Sequence, residues 1–147
     1  MKTMFLCRNK VMGWVGVLVI RLMLSGTALA DPAGAEVIAP KLQLVTAVMC
    51  EDVVNRLPYN EAVVFSIAGG KVSCFTLFDP VLERTAVYHN WYYRDNLSTK
   101  IKLLVNPPRW ATYSSIQLRE ADKGPWRVEV TDSEGNVLQT IRFSITD

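Results

Sequence analysis

At 147 residues, half of them hydrophobic and a fifth charged, the chain has the length of one domain and enough apolar material for one core. Its formal charge of +2 is unevenly placed, because Lys2, Arg8, Lys10 and Arg21 precede residue 31 and no acidic residue does. From residue 31 onward twelve basic residues face fourteen acidic ones, a net charge of −2, which excludes the broad basic surface that nucleic-acid binding needs.

Residues 1–30 read as a signal peptide. A basic start is followed by the apolar run Val11 to Ile20, and Ala28-Leu29-Ala30 supplies small residues at a cleavage point before Asp31. Arg21 cuts the apolar run short of the roughly 18 residues a membrane span wants, so no stable span is expected after cleavage; an uncleaved anchor is the alternative. Cys7 lies ahead of the apolar run, where a lipoprotein cysteine would not be, and leaves with the signal. The expected location is periplasmic or secreted. Residues 31–40, rich in Ala and Pro without periodicity, read as a disordered leader.

Residues 41–147 read as a single all-β domain. Leu42, Leu44, Thr46 and Val48 alternate with their neighbours in a strand that runs to Cys50, and Asp52 to Pro58 breaks the pattern. Two β-branched and aromatic runs, 62–68 and 71–78, flank Gly69-Gly70, which predicts a two-residue hairpin with Phe65 opposite Cys74 and Ile67 opposite Val72. Asp79-Pro80 is expected to end it. Thr85 to Tyr93 is the next strand, with Val87, His89, Trp91 and Tyr93 on one face and Tyr88 and Tyr92 on the other. Bulky rings on both faces mean that this strand is central and covered on both sides, or presents an aromatic face to something outside.

Arg94-Asp95-Asn96 turns the chain into residues 98–106, with Ile101, Leu103 and Val105 inward. After Pro107-Pro108, residues 109–118 set Trp110, Thr112, Ser114, Ile116 and Leu118 on one face. Trp126, Val128 and Val130, then Ile141, Phe143 and Ile145, form the inward sides of a second hairpin around Asp132 to Asn136. Seven or eight short strands separated by turn signals, with no helical periodicity, predict an antiparallel β-sandwich of immunoglobulin-like size; a small closed β-barrel is the runner-up.

Taken together, Cys50-x-x-Val53-x-Asn55-Arg56-x-Pro58, Phe75-Thr76, His89-x-Trp91, Trp110-x-Thr112-x-Ser114, Gly124-x-Trp126-x-Val128-x-Val130-x-Asp132-x-x-Gly135 and Phe143 form an ordered pattern. By this pattern the chain resembles the bacterial family catalogued as domain of unknown function 2914, from Cys50 to the end. The family often carries a basic residue after the tryptophan of the fourth cluster; this chain has Ala111 there, with Arg109 on the other side. The resemblance implies an exported or membrane-tethered single domain and no particular activity.

No constellation for catalysis is expected. His89 is the lone histidine, and a hydrolase would have to pair it with Ser114 or Ser115 and Asp95, with no G-x-S-x-G elbow in the sequence. One histidine and two separated cysteines fall short of a metal site, and Asp132 to Asn136 lacks the distal glutamate of a calcium loop, having Ile141 in its place. No phosphate loop is present, and no cofactor is expected. Cys50 and Cys74 are either buried thiols or a disulfide closing a loop of twenty-five residues, worth on the order of 3.5 kcal/mol. Aromatics beside arginines are the residue types that carry interface energy, so the candidate binding surface is His89, Trp91, Tyr93, Arg109, Trp110 and Tyr113. The alternative assigns these rings to the core, most clearly Trp126, and Arg56 to loop carbonyls. The function expected is a non-enzymatic, exported protein-interaction module of the cell envelope; a glycan-binding module is the alternative.

Overall fold

The computed structural model describes residues 41–147; the expected signal peptide and leader lie outside the described residues. Nine strands form two sheets. They are β1 (Leu42–Val54), β2 (Leu57–Glu61), β3 (Val64–Ser66), β4 (Lys71–Val81), β5 (Thr85–Tyr93), β6 (Asn96–Val105), β7 (Trp110–Gln117), β8 (Gly124–Thr131) and β9 (Val137–Thr146). One sheet has the order β2-β1-β4-β7 and the other β3-β9-β8-β5-β6. The sheets lie face to face as an open sandwich and no barrel closes. All pairings are antiparallel except β3 with β9.

The core follows from period-two alternation. Met49, Val72, Cys74 and Phe78 from the four-stranded sheet meet Val87, Trp91, Trp126, Val128, Val130, Phe143 and Ile145 from the five-stranded one. Phe143 stands edge-on to both Phe65 and Trp91, with ring centroids 6.0 Å apart in each pair. The predicted inward faces of β6, β8 and β9 hold, and β5 and β7 turn the faces of Trp91 and Trp110 inward.

Three expectations are corrected. Asp52 to Pro58 is not a break, because β1 runs on to Val54 and returns as β2 through Asn55-Arg56, both at positive φ (52° and 62°). Gly69-Gly70 is not a hairpin turn: Ser66 caps a short 3-10 turn over Ile67–Gly69, closed by Gly70 at φ 74°. The chain thereby crosses between sheets, so Phe65 pairs with Ile145 of β9 and Cys74 with Met49 of β1. Third, Asp79-Pro80 does not end a strand, since β4 continues to Val81.

Candidate functional site

The residues expected to share one surface are divided by the fold. His89 and Trp91 are fully buried, at 0 % exposure, between the sheets. Opposite them on β7, Ser114 places its Oγ 2.8 Å from His89 Nδ1 and 3.1 Å from Trp91 Nε1. On β4, Thr76 Oγ1 lies 3.2 Å from His89 Nε2 and donates to the Thr112 carbonyl at 3.3 Å. One proton arrangement uses every donor. The Trp91 indole N–H donates to Ser114, whose hydroxyl donates to His89 Nδ1; His89 Nε2–H then donates to Thr76, whose hydroxyl ends the chain on Thr112.

That arrangement requires a neutral imidazole. Burial lowers the His89 pKa from 6.5 to about 4. His89 is interior and both its nitrogens are bonded, because β4 and β7 each present a hydroxyl at the level where β5 presents the ring. The His89–Ser114 pair is sealed from solvent. Asp95, the proposed third member, sits in the exposed β5–β6 turn, ion-paired with Arg127. No group of three metal-ligating side chains occurs among the described residues.

Tyr93 is also structural. Its ring packs on Trp126 with centroids 4.9 Å apart, and its hydroxyl donates to the Lys123 carbonyl at 2.8 Å. Trp126 is core, as the continuation of its face by Val128 and Val130 implied. The outward rings of β5 are covered by cations from their own sheet, Lys100 over Tyr88 and Arg127 over Tyr92, at 4.4 and 4.0 Å from the ring centroids.

Cys50 and Cys74 are both free and buried. Cys50 pairs with Ser73 and Met49 with Cys74, so the two cysteines occupy successive registers and point to opposite faces of the sheet. A disulfide is excluded by that geometry. Burial pushes both thiols up.

The remaining residues define a different place. The register sets Thr76 and Phe78 inward, so Phe75 and Leu77 of β4, Val48 of β1, and Ala111 and Tyr113 of β7 share the outer face of the four-stranded sheet. Phe75 is buried there, at 3 % exposure, outside the core between the sheets. What buries it is the β1–β2 arm. Beyond Cys50, β1 leaves β4 and the hairpin folds back over this face, so that Asn55 and Arg56 at its tip line two clefts together with Phe75 and Ala111.

One cleft, of about 490 Å³, adds Trp110 and Tyr113; the other, of about 510 Å³, adds Leu77 and Arg109. Tyr113 is half exposed, at 50 %, and the Arg109 side chain lies 3.7 Å from Asp79 Oδ2. The arm is held at its base by Lys71 Nζ, 2.8 Å from Asp52 Oδ1; that bond and the Val53 N–H hold the Asp52 carboxyl below its usual range. Of the six proposed binding residues, Tyr113 lines the first cleft and Arg109 the second, Trp110 borders the first from the core side, where it is paired with the inward Phe78, and His89, Trp91 and Tyr93 line neither. Among the described residues Arg56 makes no bond to loop carbonyls, and it joins the clefts, as do Phe75 and Leu77. Apolar residues on both faces of β4 were the signal for these last two.

The fold and the cleft define an all-β sandwich carrying an apolar outer sheet face roofed by a hairpin arm. Residues 84–145, which span β5 to β9, match the model of a family described as Protein of unknown function (DUF2914). The resemblance seen in the sequence holds over that stretch, which includes His89, Trp91, Ser114 and Trp126; the arm lies outside it. No curated protein matches the chain. No helix among the described residues is long and apolar enough to cross a membrane.

Proposed function

We propose that the domain is a non-enzymatic, exported binding module of the cell envelope, periplasmic or secreted, and that it docks a protein partner on the outer face of the four-stranded sheet beneath the β1–β2 arm. One observation carries this reading. Phe75, Leu77, Ala111 and Tyr113 form an apolar floor outside the core, and the arm covers it incompletely, leaving clefts edged by two arginines. A floor of this kind beside Tyr and Arg is the composition of interface hot spots. A glycan would stack on exposed aromatic rings, and of the rings that line the clefts Tyr113 alone is exposed, Phe75 being buried and Trp110 partly buried. Protein therefore suits the cleft better than sugar.

Export is supported by the basic start and apolar run of residues 1–30. The reading is tested by pull-down from envelope extracts with wild-type domain, Tyr113→Ala and Arg109→Ala, each checked for an unchanged melting temperature. The expected result is a partner recovered by wild type and lost with both variants. Equal recovery by all three would remove this face from consideration.

A further inference from the structure

The charge distribution around the arm goes beyond a generic docking face. Residues 41–147 contain twelve basic and twelve acidic side chains, so the domain itself is neutral. The two clefts are not neutral: their lining includes Arg56 and Arg109 and no aspartate or glutamate. Of the carboxylates on the arm, Glu51 is engaged by the Asn60 side-chain amide and Asp52 by Lys71, both at 2.8 Å, and Glu61, beside Cys50 at the base, lines neither cleft. Arg56 has no ion-pair partner among the described residues. Arg109 has one at the rim, Asp79, at 3.7 Å, longer than a charge-assisted hydrogen bond, and both of these side chains are well exposed.

The backbone under Arg56 adds an independent observation. The arm turns on two residues at positive φ, a conformation that favours Asn-Gly, and position 56 carries arginine at φ 62°. A β-carbon there is unfavourable by about 1 kcal/mol relative to glycine. The other such turn, Arg94-Asp95, also lacks glycine, but Arg94 lies over the Tyr93 ring at 5.1 Å. Among the described residues Arg56 lies over no aromatic ring, and it stands in both clefts.

We propose that the cleft beneath the arm receives an extended acidic and apolar peptide segment of the partner, with a carboxylate held between Arg56 and Arg109 and an adjacent apolar side chain laid on Phe75, Leu77 and Ala111. This rests on the reading of that face as the docking surface. The guanidinium fork matches a carboxylate through two parallel hydrogen bonds, and the cleft's apolar floor adds burial that a free anion cannot use. An incoming carboxylate displaces Asp79 from Arg109 without unpairing a buried group, since Asp79 is open to water.

The test is selection from a random-peptide display library on the folded domain, followed by titration of the enriched peptides. The expected peptides carry Asp or Glu beside an aliphatic or aromatic residue. Their affinity falls about tenfold when the acid is changed to its amide, when salt is raised, and in Arg56→Ala and in Arg109→Ala. It also falls in Tyr113→Ala. Neutral or basic peptides that bind wild type but not Tyr113→Ala would overturn the acidic class and leave the docking face standing. Acidic peptides that bind all three variants as tightly as wild type would overturn both, and failure to enrich any peptide would overturn the peptide-binding inference.

Discussion

Ser114 in one sheet places its Oγ 2.8 Å from Nδ1 of His89 in the other, so a neutral histidine is bonded across the interior of the sandwich. With Thr76 on the far nitrogen and Trp91 donating to the same serine, the four side chains span three strands in two layers. The low local dielectric makes such a network costly to break.

Stability should therefore depend on pH in a defined window. The folded-state pKa of His89, about 4, lies below the unfolded 6.5, so between these values the unfolded chain binds a proton that the native protein does not. The contribution is fully present above about pH 6.5 and is lost as pH falls toward 4, reaching roughly 3 kcal/mol. Asp52 and Asp132, whose carboxyls are lowered in the fold by hydrogen bonds, contribute stability that is lost only below their ordinary value of 3.8. Thermal melts should show wild type losing stability from pH 6.5 to 4 and His89→Gln losing less over the same range. Parallel profiles would contradict the buried neutral ring.

Ser114→Ala removes the acceptor for the Trp91 indole and the donor to His89 Nδ1 together. Two buried polar groups are left unpaired, and the expected cost is about 2–4 kcal/mol. Ser115→Ala, one position along on the outer face, loses only a part-buried bond to Ser73, and about 1 kcal/mol is expected. Urea titration of the two variants measures the contrast; equal losses would show that the inter-sheet network has no special weight.

The two cysteines should stay reduced even in an oxidising compartment. Non-reducing mass spectrometry of the folded domain should find both thiols free, and melting temperatures with and without reductant should coincide. Thiol reagents should label Cys74 only as the domain unfolds, because it is buried and its pKa is raised by burial. Rapid labelling in native buffer would contradict this placement.

Arg56→Gly should separate stability from binding. Glycine adopts φ 62° without the β-carbon penalty, so the domain should gain a few tenths to about 1 kcal/mol. Partner binding should fall with the lost guanidinium. Unfolding titrations read the gain; a loss of stability would mean that Arg56 holds the arm down through its side chain.

Much of the sandwich was legible because β5 to β9 alternate cleanly. In β8, Trp126, Val128 and Val130 face inward against Arg127 and Glu129 outward, and antiparallel neighbours repeat the pattern. The arm was hidden for a local reason, since Asn55-Arg56 lacks the glycine that usually marks such a turn. Gly69-Gly70 misled for the opposite reason: Gly70 supplies the positive φ that closes a 3-10 turn, and the strand before it pairs in parallel with β9, as in Phe65 with Ile145, far along the chain. Alternation placed Trp110 and Tyr113 on opposite sides of β7 but not which side faces the other sheet. His89 and Trp91 looked like a surface because aromatic and polar residues on one face suit an interface and a hydrogen-bonded core equally well; only the hydroxyls of Thr76 and Ser114, brought in from distant strands, decide for the core.

Site-specific photo-crosslinking in cells tests the central claim most directly. A photoreactive residue replacing Tyr113, on the outer face of the four-stranded sheet, should form a discrete adduct with one envelope protein. The same residue replacing Tyr88, on the outer face of the five-stranded sheet, should form none. Adducts from position 88 and not from position 113 would place the partner on the opposite sheet and contradict the account.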